Sequence, residues 1–122
     1  MALAYKIIGA NVESLHIAAA WQDTNSAVSA AGTNQATATE LTNADNYVSS
    51  VSANQGVKLS SQAFNGDEQT VYNGTATALF VYPPSGAKIN QLSTNAAMTL
   101  TAQRSCRFKC ISTTQWVAIL SA

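Results

Sequence analysis

The sequence predicts an all-β protein, an antiparallel β-sandwich or jelly roll of one domain with an N-terminal arm. Three observations predict this class. A chain of 122 residues suits a single domain. Its apolar residues recur in short runs, about 8–14 residues apart, and turn residues separate the runs, a spacing typical of sandwiches and barrels.

Eight short runs in the body are predicted to be strands. They cover residues 35–41, 47–51, 56–59, 69–72, 78–82, 97–101, 105–112 and 115–120. Asn and Gly between the runs tolerate positive φ, and Pro cannot donate a ladder hydrogen bond. Asn73-Gly74 therefore predicts a hairpin between its flanking strands. The Tyr82-Pro83-Pro84-Ser85-Gly86 segment predicts a rigid, exposed turn at the end of a strand.

The alternation is clearest near the C-terminus. Residues 105–111 place Cys106, Phe108 and Cys110 on one face and Arg107 and Lys109 on the other, which predicts a core face and a solvent or interface face. Residues 115–120 are apolar on both faces. Such a strand needs cover on both sides, and a second subunit could supply one of them.

The chain divides into an N-terminal segment, residues 1–28, and a β-rich body, residues 29–122. The start of the N-terminal segment is predicted to be extended through Ile8. Residues 12–21 fit a helical stripe and a strand equally well, so both alternatives stay open. The segment is an arm that reaches a neighbour, or it packs on its own domain.

The composition favours a protein that buries its surface against partners. Charged residues are only 10% of the chain, whereas Ala, Ser, Thr, Asn and Gln make up more than half. Hydroxyl, amide and methyl groups cost less to desolvate than ions. The net charge is zero, so the chain offers no field to attract nucleic acid or an anionic membrane. A net charge near zero also promotes association.

The two cysteines are predicted to be reduced, buried and inert. On one strand, Cys106 and Cys110 lie on the same face about 13 Å apart, which is too far for a disulfide. A metal site would need further ligands, and His16 is the single histidine. No cofactor or metal is expected.

The sequence does not predict an enzyme. His16 has no nucleophile motif to serve. Asp67-Glu68 after Asn65-Gly66 could chelate a cation with backbone carbonyls, but a plain turn before a strand is favoured. Arg104, Arg107 and Lys109 surround Phe108 in sequence, yet alternation sends Phe108 to the opposite face, which argues against a single-stranded nucleic-acid platform.

Neither a signal peptide nor a bilayer-spanning run of about 18 apolar residues is recognisable, so the chain is expected to be made in the cytoplasm.

The body resembles a module common in virion proteins of tailed bacteriophages, over about three quarters of the chain. The order of its elements is specific, with a Tyr-Pro-Pro-x-Gly turn and a final Gln-Trp strand. The matching segments are Ala31-Gly32-Thr33-Asn34-Gln35-Ala36-Thr37, Asn46-Tyr47-Val48, Gly56-Val57-Lys58-Leu59, residues 66–75, residues 78–90, Ser105-Cys106-Arg107-Phe108 and Thr114-Gln115-Trp116-Val117-Ala118.

The resemblance implies an all-β capsid cement (decoration) protein that binds the outside of the phage head. Its expected partners are the major capsid protein and copies of itself, with a trimer favoured and a dimer as the alternative. The second hypothesis is a receptor-binding or carbohydrate-binding module of a tail appendage, in which Trp21, Trp116 and tyrosines stack on sugars. The predicted interface residues are Tyr5, Ile7, Ile8, Leu15, Trp21, Arg107, Lys109 and Trp116.

Overall fold

The structure is a computed structural model, and it describes residues 23–121. This part of the chain forms ten strands and no helix, which confirms the all-β prediction. The strands are β1 (Thr24–Ser29), β2 (Thr39–Glu40), β3 (Asp45–Ser50), β4 (Gly56–Lys58), β5 (Glu68–Asn73), β6 (Leu79–Tyr82), β7 (Lys88–Ile89), β8 (Met98–Leu100), β9 (Ser105–Ser112) and β10 (Gln115–Leu120).

The strands form two sheets. Along the chain, the first six strands belong alternately to one sheet and to the other. The large sheet has the order β1-β3-β5-β9-β10-β7, and the small sheet has the order β2-β4-β6-β8. Neighbours among β1, β3 and β5 are parallel, as are neighbours among β2, β4 and β6. Residues 24–82 therefore wind through three coils, each with one strand in each sheet, in a stack that resembles a β-solenoid.

The C-terminal strands close this stack with antiparallel pairs. β8 pairs with β6, and β9 lies between β5 and β10, antiparallel to both. The short β7 runs parallel to β10 at the far edge. The antiparallel pairing expected from the sequence is thus confirmed for these three pairs of neighbouring strands. It is wrong for the pairs that are parallel. Parallel neighbours arise among the coils because the chain crosses to the other sheet after each early strand.

The hairpin predicted at Asn73-Gly74 is one of these crossings, because β5 and β6 belong to different sheets. The buried Asn73 side chain explains the crossing. Its Nδ2 donates to the carbonyl oxygens of Thr77 (2.8 Å) and Leu100 (3.1 Å), and its Oδ1 accepts from the Thr75 amide (3.1 Å). These bonds fix an Asx-type turn that leads out of the large sheet and prevents pairing back along β5.

One apolar cluster lies between the sheets and draws side chains from both. Val48 and Val71 come from the large sheet, and Val57, Leu79 and Val81 come from the small sheet; all are fully buried. Phe108 and Trp116 are the largest buried side chains. The cluster spans the coils and the C-terminal strands, so the described chain has a common core.

The proline segment ends β6 at Tyr82, as predicted. Its prolines, however, are buried and not exposed. Their rings are apolar, and the carbonyls of both remain satisfied: Gln35 Nε2 donates to the Pro83 oxygen (2.8 Å) and the Ala87 amide donates to the Pro84 oxygen (3.0 Å). The exposed tip of the turn is Ser85-Gly86, where Gly86 has a φ of +86°.

All eight predicted runs overlap a strand, but β1 and β7 were not predicted. β1 begins at Thr24 and so crosses the boundary predicted between residues 28 and 29. The predictions for residues 1–22, an extended start through Ile8 and a helix or strand over 12–21, lie outside the described residues.

Candidate interaction surface

The alternation along β9 divides its side chains between the core and the solvent face of the large sheet. Cys106, Phe108 and Cys110 are buried, while Arg107 and Lys109 are exposed, as the sequence predicts. We call the solvent side of β3, β5, β9 and β10 the outer face. It carries Asp45, Tyr47, Glu68, Thr70, Tyr72, Ser105, Arg107, Lys109, Val117 and Ile119.

The register between strands arranges these side chains in three rows across the outer face. The first row is Tyr47, Tyr72 and Ser105; the second is Asp45, Thr70, Arg107 and Ile119; the third is Glu68, Lys109 and Val117. Side chains directly opposite on neighbouring strands lie about 4.5–5.5 Å apart at Cβ, so each row is contiguous. The outer face is therefore a continuous surface built from four strands.

Large apolar side chains remain accessible on this surface. Tyr47 and Tyr72 are 46% and 44% exposed, and Ile119 is 57% exposed. The Tyr47 ring lies against Gly74, so closely that a Cβ at that position would collide with it. Exposed apolar groups that lie side by side mark interaction sites more often than isolated ones do.

A shallow depression of about 260 Å³ lies among the rows. Its lining combines the aromatic Tyr72 and the aliphatic Ile119 and Leu120 with Arg107 and the hydroxyl-bearing Thr70, Ser105 and Ser121. Such a mixture of aromatic, aliphatic, cationic and hydroxyl groups is typical of surfaces that contact other proteins.

The charges of the outer face are only weakly paired within the chain. Arg107 Nε lies 3.6 Å from Glu68 Oε1, and both side chains are about half exposed. An exposed pair of this kind contributes little to folding stability. Lys109 lies opposite Glu68 in the register between β5 and β9. These groups are available to pair with charges on a partner.

Trp116, a predicted interface residue, belongs instead to the core, where it is 1% exposed. A register shift between Gln115 and Trp116 places Trp116 opposite Cys110, and both side chains are buried. The exposed apolar part of β10 is its end, where Ile119 and Leu120 are 57% and 52% exposed. The part of this strand that stays uncovered within the described chain is therefore its end, and not Trp116.

Of the other predicted interface residues, Arg107 and Lys109 lie on the outer face. Tyr5, Ile7, Ile8, Leu15 and Trp21 lie outside the described residues. Tyr47, Tyr72 and Ile119 were missed as a group, because their proximity depends on a register that no local pattern reveals.

The described residues 23–121 contain no group of three or more His, Cys, Asp and Glu that could hold a metal. Asp67 and Glu68, considered as a chelating pair, have separate roles. Asp67 is buried and its Oδ2 accepts from the Phe64 amide (2.9 Å), whereas Glu68 points to Arg107. The alternative of a plain turn before β5 fits this geometry.

The two cysteines are free and buried, as predicted. Burial raises the pKa of the Cys106 thiol to about 11, although a hydrogen bond with the Ile119 backbone opposes the shift. Burial, followed by the negative charge of Asp67, also raises the pKa of Cys110. Both side chains are therefore protonated near neutral pH and make poor nucleophiles. His16 lies outside the described residues.

In residues 23–121 there is no helix long and apolar enough to cross a membrane. No protein-family model matches the chain, and no curated protein matches it.

Proposed function

We propose that this chain is a structural virion protein, a cement (decoration) protein that binds the outside of a phage head and stabilises contacts between capsid subunits. The outer face of the large sheet carries the proposal. It offers contiguous aromatic, aliphatic and charged side chains on strands whose other side is fixed in the core. A rigid, partly apolar surface of this kind suits protein partners.

Two further observations support a structural role. The chain has few charged residues and zero net charge, so much of its surface is inexpensive to desolvate. Its two sheets share one core, which fits the sandwich-like body implied by the resemblance to phage virion modules. The proposed partners are the major capsid protein and further copies of the chain. In this proposal the protein has no enzymatic activity, cofactor, nucleic-acid partner or membrane partner.

In this proposal the capsid lattice supplies the affinity. Many copies bind a lattice at once, so contacts of moderate affinity add up over the shell. A trimer at local threefold positions matches the symmetry of such a lattice, and a dimer at twofold positions is the alternative. The N-terminal segment is proposed to reach the shell or a neighbouring copy.

A second candidate function is the receptor- or carbohydrate-binding module of a tail appendage. Tyr47 and Tyr72 favour it, because they are in-register neighbours, half exposed, and close to the hydroxyl of Ser105. Paired aromatic rings with nearby polar groups suit a sugar ring. Trp116 does not contribute, since it is buried.

The copy number in purified particles separates the two functions. A cement protein is present at one or more copies per capsomer and is recovered in the head fraction. An appendage module is present at a few copies per particle and is recovered with the tail. Quantitative mass spectrometry of separated heads and tails makes the distinction.

Deletion of residues 1–20 tests the proposed arm. The shortened protein is expected to retain a β-type circular dichroism spectrum and to bind undecorated capsids less tightly than the full chain. Equal affinity of the two proteins for capsids would contradict the arm hypothesis and leave the cement function standing.

A further inference from the structure

The outer face is divided by charge. Its acidic groups, Asp45 and Glu68, lie on β3 and β5, and its basic groups, Arg107 and Lys109, lie on β9. β7, beyond β10 at the far edge of the sheet, adds the exposed Lys88 on the basic side. One half of the surface is thus acidic and the other half basic.

We propose that the outer face is the contact between two copies of this chain, related by a twofold axis that runs along the strands between β5 and β9. This inference rests on the self-association proposed above and specifies the surface that mediates it. Charge complementarity identifies the occupant, because a surface with one acidic and one basic half is complementary to itself when rotated about that axis.

The rotation places β5 of one copy over β9 of the other. Glu68 then faces Lys109 of the second copy, and Thr70 faces Arg107. Each of these contacts occurs twice, since the axis makes the interface isologous. The charges that are weakly paired within one chain gain a partner across the interface.

The same rotation places β3 of one copy over β10 of the other. Asp45 on β3 then lies directly opposite Ile119 on β10, in the row that they share, and Tyr47 lies diagonally across from Ile119. Tyr47 and Ile119 therefore cover part of each other's exposed apolar surface. The sheets pack face to face in the aligned manner of a sandwich, with about 10 Å between them. The exposed end of β10 is thereby covered by a second subunit.

An isologous contact generates a dimer, so this surface favours the twofold alternative over the trimer.

Two charge-reversal variants test the contact, because each of them weakens it when two copies of the same variant associate. Lys109→Glu places two acidic groups opposite each other at each contact, and Glu68→Lys places two basic groups there. Analytical ultracentrifugation is expected to show a concentration-dependent dimer for the unmodified protein. Each variant should have a dimer dissociation constant at least about tenfold higher.

Mixing the two variants is the decisive measurement. In a heterodimer, the natural Glu68 and Lys109 meet at one contact and the two reversed charges meet at the other, so both contacts pair an acidic with a basic group. Mixing should therefore restore dimer formation to within about threefold of the unmodified protein. Mixing cannot repair repulsion inside either chain. Recovery therefore cannot arise from intrachain effects, and its absence overturns the proposed contact.

Ile119→Glu supplies a test in case a charge reversal prevents folding. Ile119 is more than half exposed, so the replacement should preserve the fold while it places an acidic group opposite Asp45 of the second copy, in the row that the two positions share. Thr99→Glu is the control, because Thr99 is exposed on β8 of the small sheet, on the opposite side of the core from the outer face. Dimer loss in the first variant and not in the second supports the proposal. Equal dimerisation of both, or a monomeric unmodified protein at its highest soluble concentration, overturns it.

Capsid binding, measured separately, distinguishes failure of this contact from failure of the cement function. A monomer that still binds capsids contradicts the twofold contact alone. A trimer that still forms in all three outer-face variants also contradicts the twofold contact. In that case the copies associate through another surface.

Discussion

The C-terminal strands and the three coils share one core but are specified in different ways. In β9, buried and exposed residues alternate over most of an eight-residue strand, and the apolar ones form its core side. In the coils, strands are as short as two or three residues, and buried amide side chains occupy inward positions. Asn46, Gln69 and Asn73 are at most 2% exposed.

These amides connect segments that the strand ladders leave apart. Gln69 on β5 accepts from the Ser60 amide (2.8 Å) and donates to the Leu41 and Asn43 carbonyls (both 3.0 Å). Leu41 and Ser60 follow β2 and β4 of the small sheet, so one side chain joins the two sheets across successive coils. Buried backbone groups need such partners where the chain crosses between sheets.

The comparison explains which parts of the fold the sequence predicts. Strands β9 and β10 were predicted with their bounds from local signals, which are period-2 alternation in β9 and a short continuous apolar run in β10. The parallel order of the coils was not predicted. It depends on Asn73 and Gln69, which resemble turn or surface residues until their distant hydrogen-bond partners are known. For the same reason Arg107 and Lys109 were predicted to be on a surface, but it was not predicted that Tyr47 and Tyr72 share that surface with them.

Phe108→Ala should have the largest effect, because it removes a large ring from the core side of β9. Phe108 is fully buried, so we expect the free energy of unfolding to fall by about 3–5 kcal/mol. Urea denaturation measures the change. Lys109→Ala, one residue along the same strand and exposed, is the matched control and should change stability by less than about 0.5 kcal/mol. Comparable losses for both would contradict the assigned faces of β9.

Gln69→Leu should have the next largest effect and should act on the coils. The replacement has a similar volume but leaves the buried Ser60 amide and Leu41 carbonyl without the hydrogen bonds that Gln69 makes, whereas the Asn43 carbonyl keeps a bond from Asn46 Nδ2 (2.9 Å). We expect a loss of about 2–4 kcal/mol by urea denaturation, with faster amide exchange in residues 41–60. Gln62→Leu, on an exposed position, is the control. An unchanged free energy of unfolding in Gln69→Leu would contradict this expectation and show that apolar packing alone stabilises the coils.

Cys106→Ala should have the smallest effect of the three substitutions. The effect should appear as a change in how the free energy of unfolding depends on pH. Burial raises the folded-state pKa of this thiol from 9.0 to about 11, so the folded chain holds its proton more tightly than the unfolded chain. The stability that the folded chain gains from holding this proton is fully present below pH 9 and is lost as the pH rises through 11. Between pH 7 and pH 10 the unmodified protein should lose about 1 kcal/mol more than the variant. Identical pH profiles of unfolding would contradict the burial of the thiol.

The most direct test of the proposed cement function is binding of the purified full-length chain to undecorated capsids, followed by sedimentation and electron cryo-microscopy. We predict saturable binding at a fixed ratio to the major capsid protein, ordered density on the outside of the shell where capsid subunits meet, and greater resistance of the decorated capsids to heat. Absence of binding at saturating concentration, with the chain found only in tail fractions of native particles, would contradict the proposal.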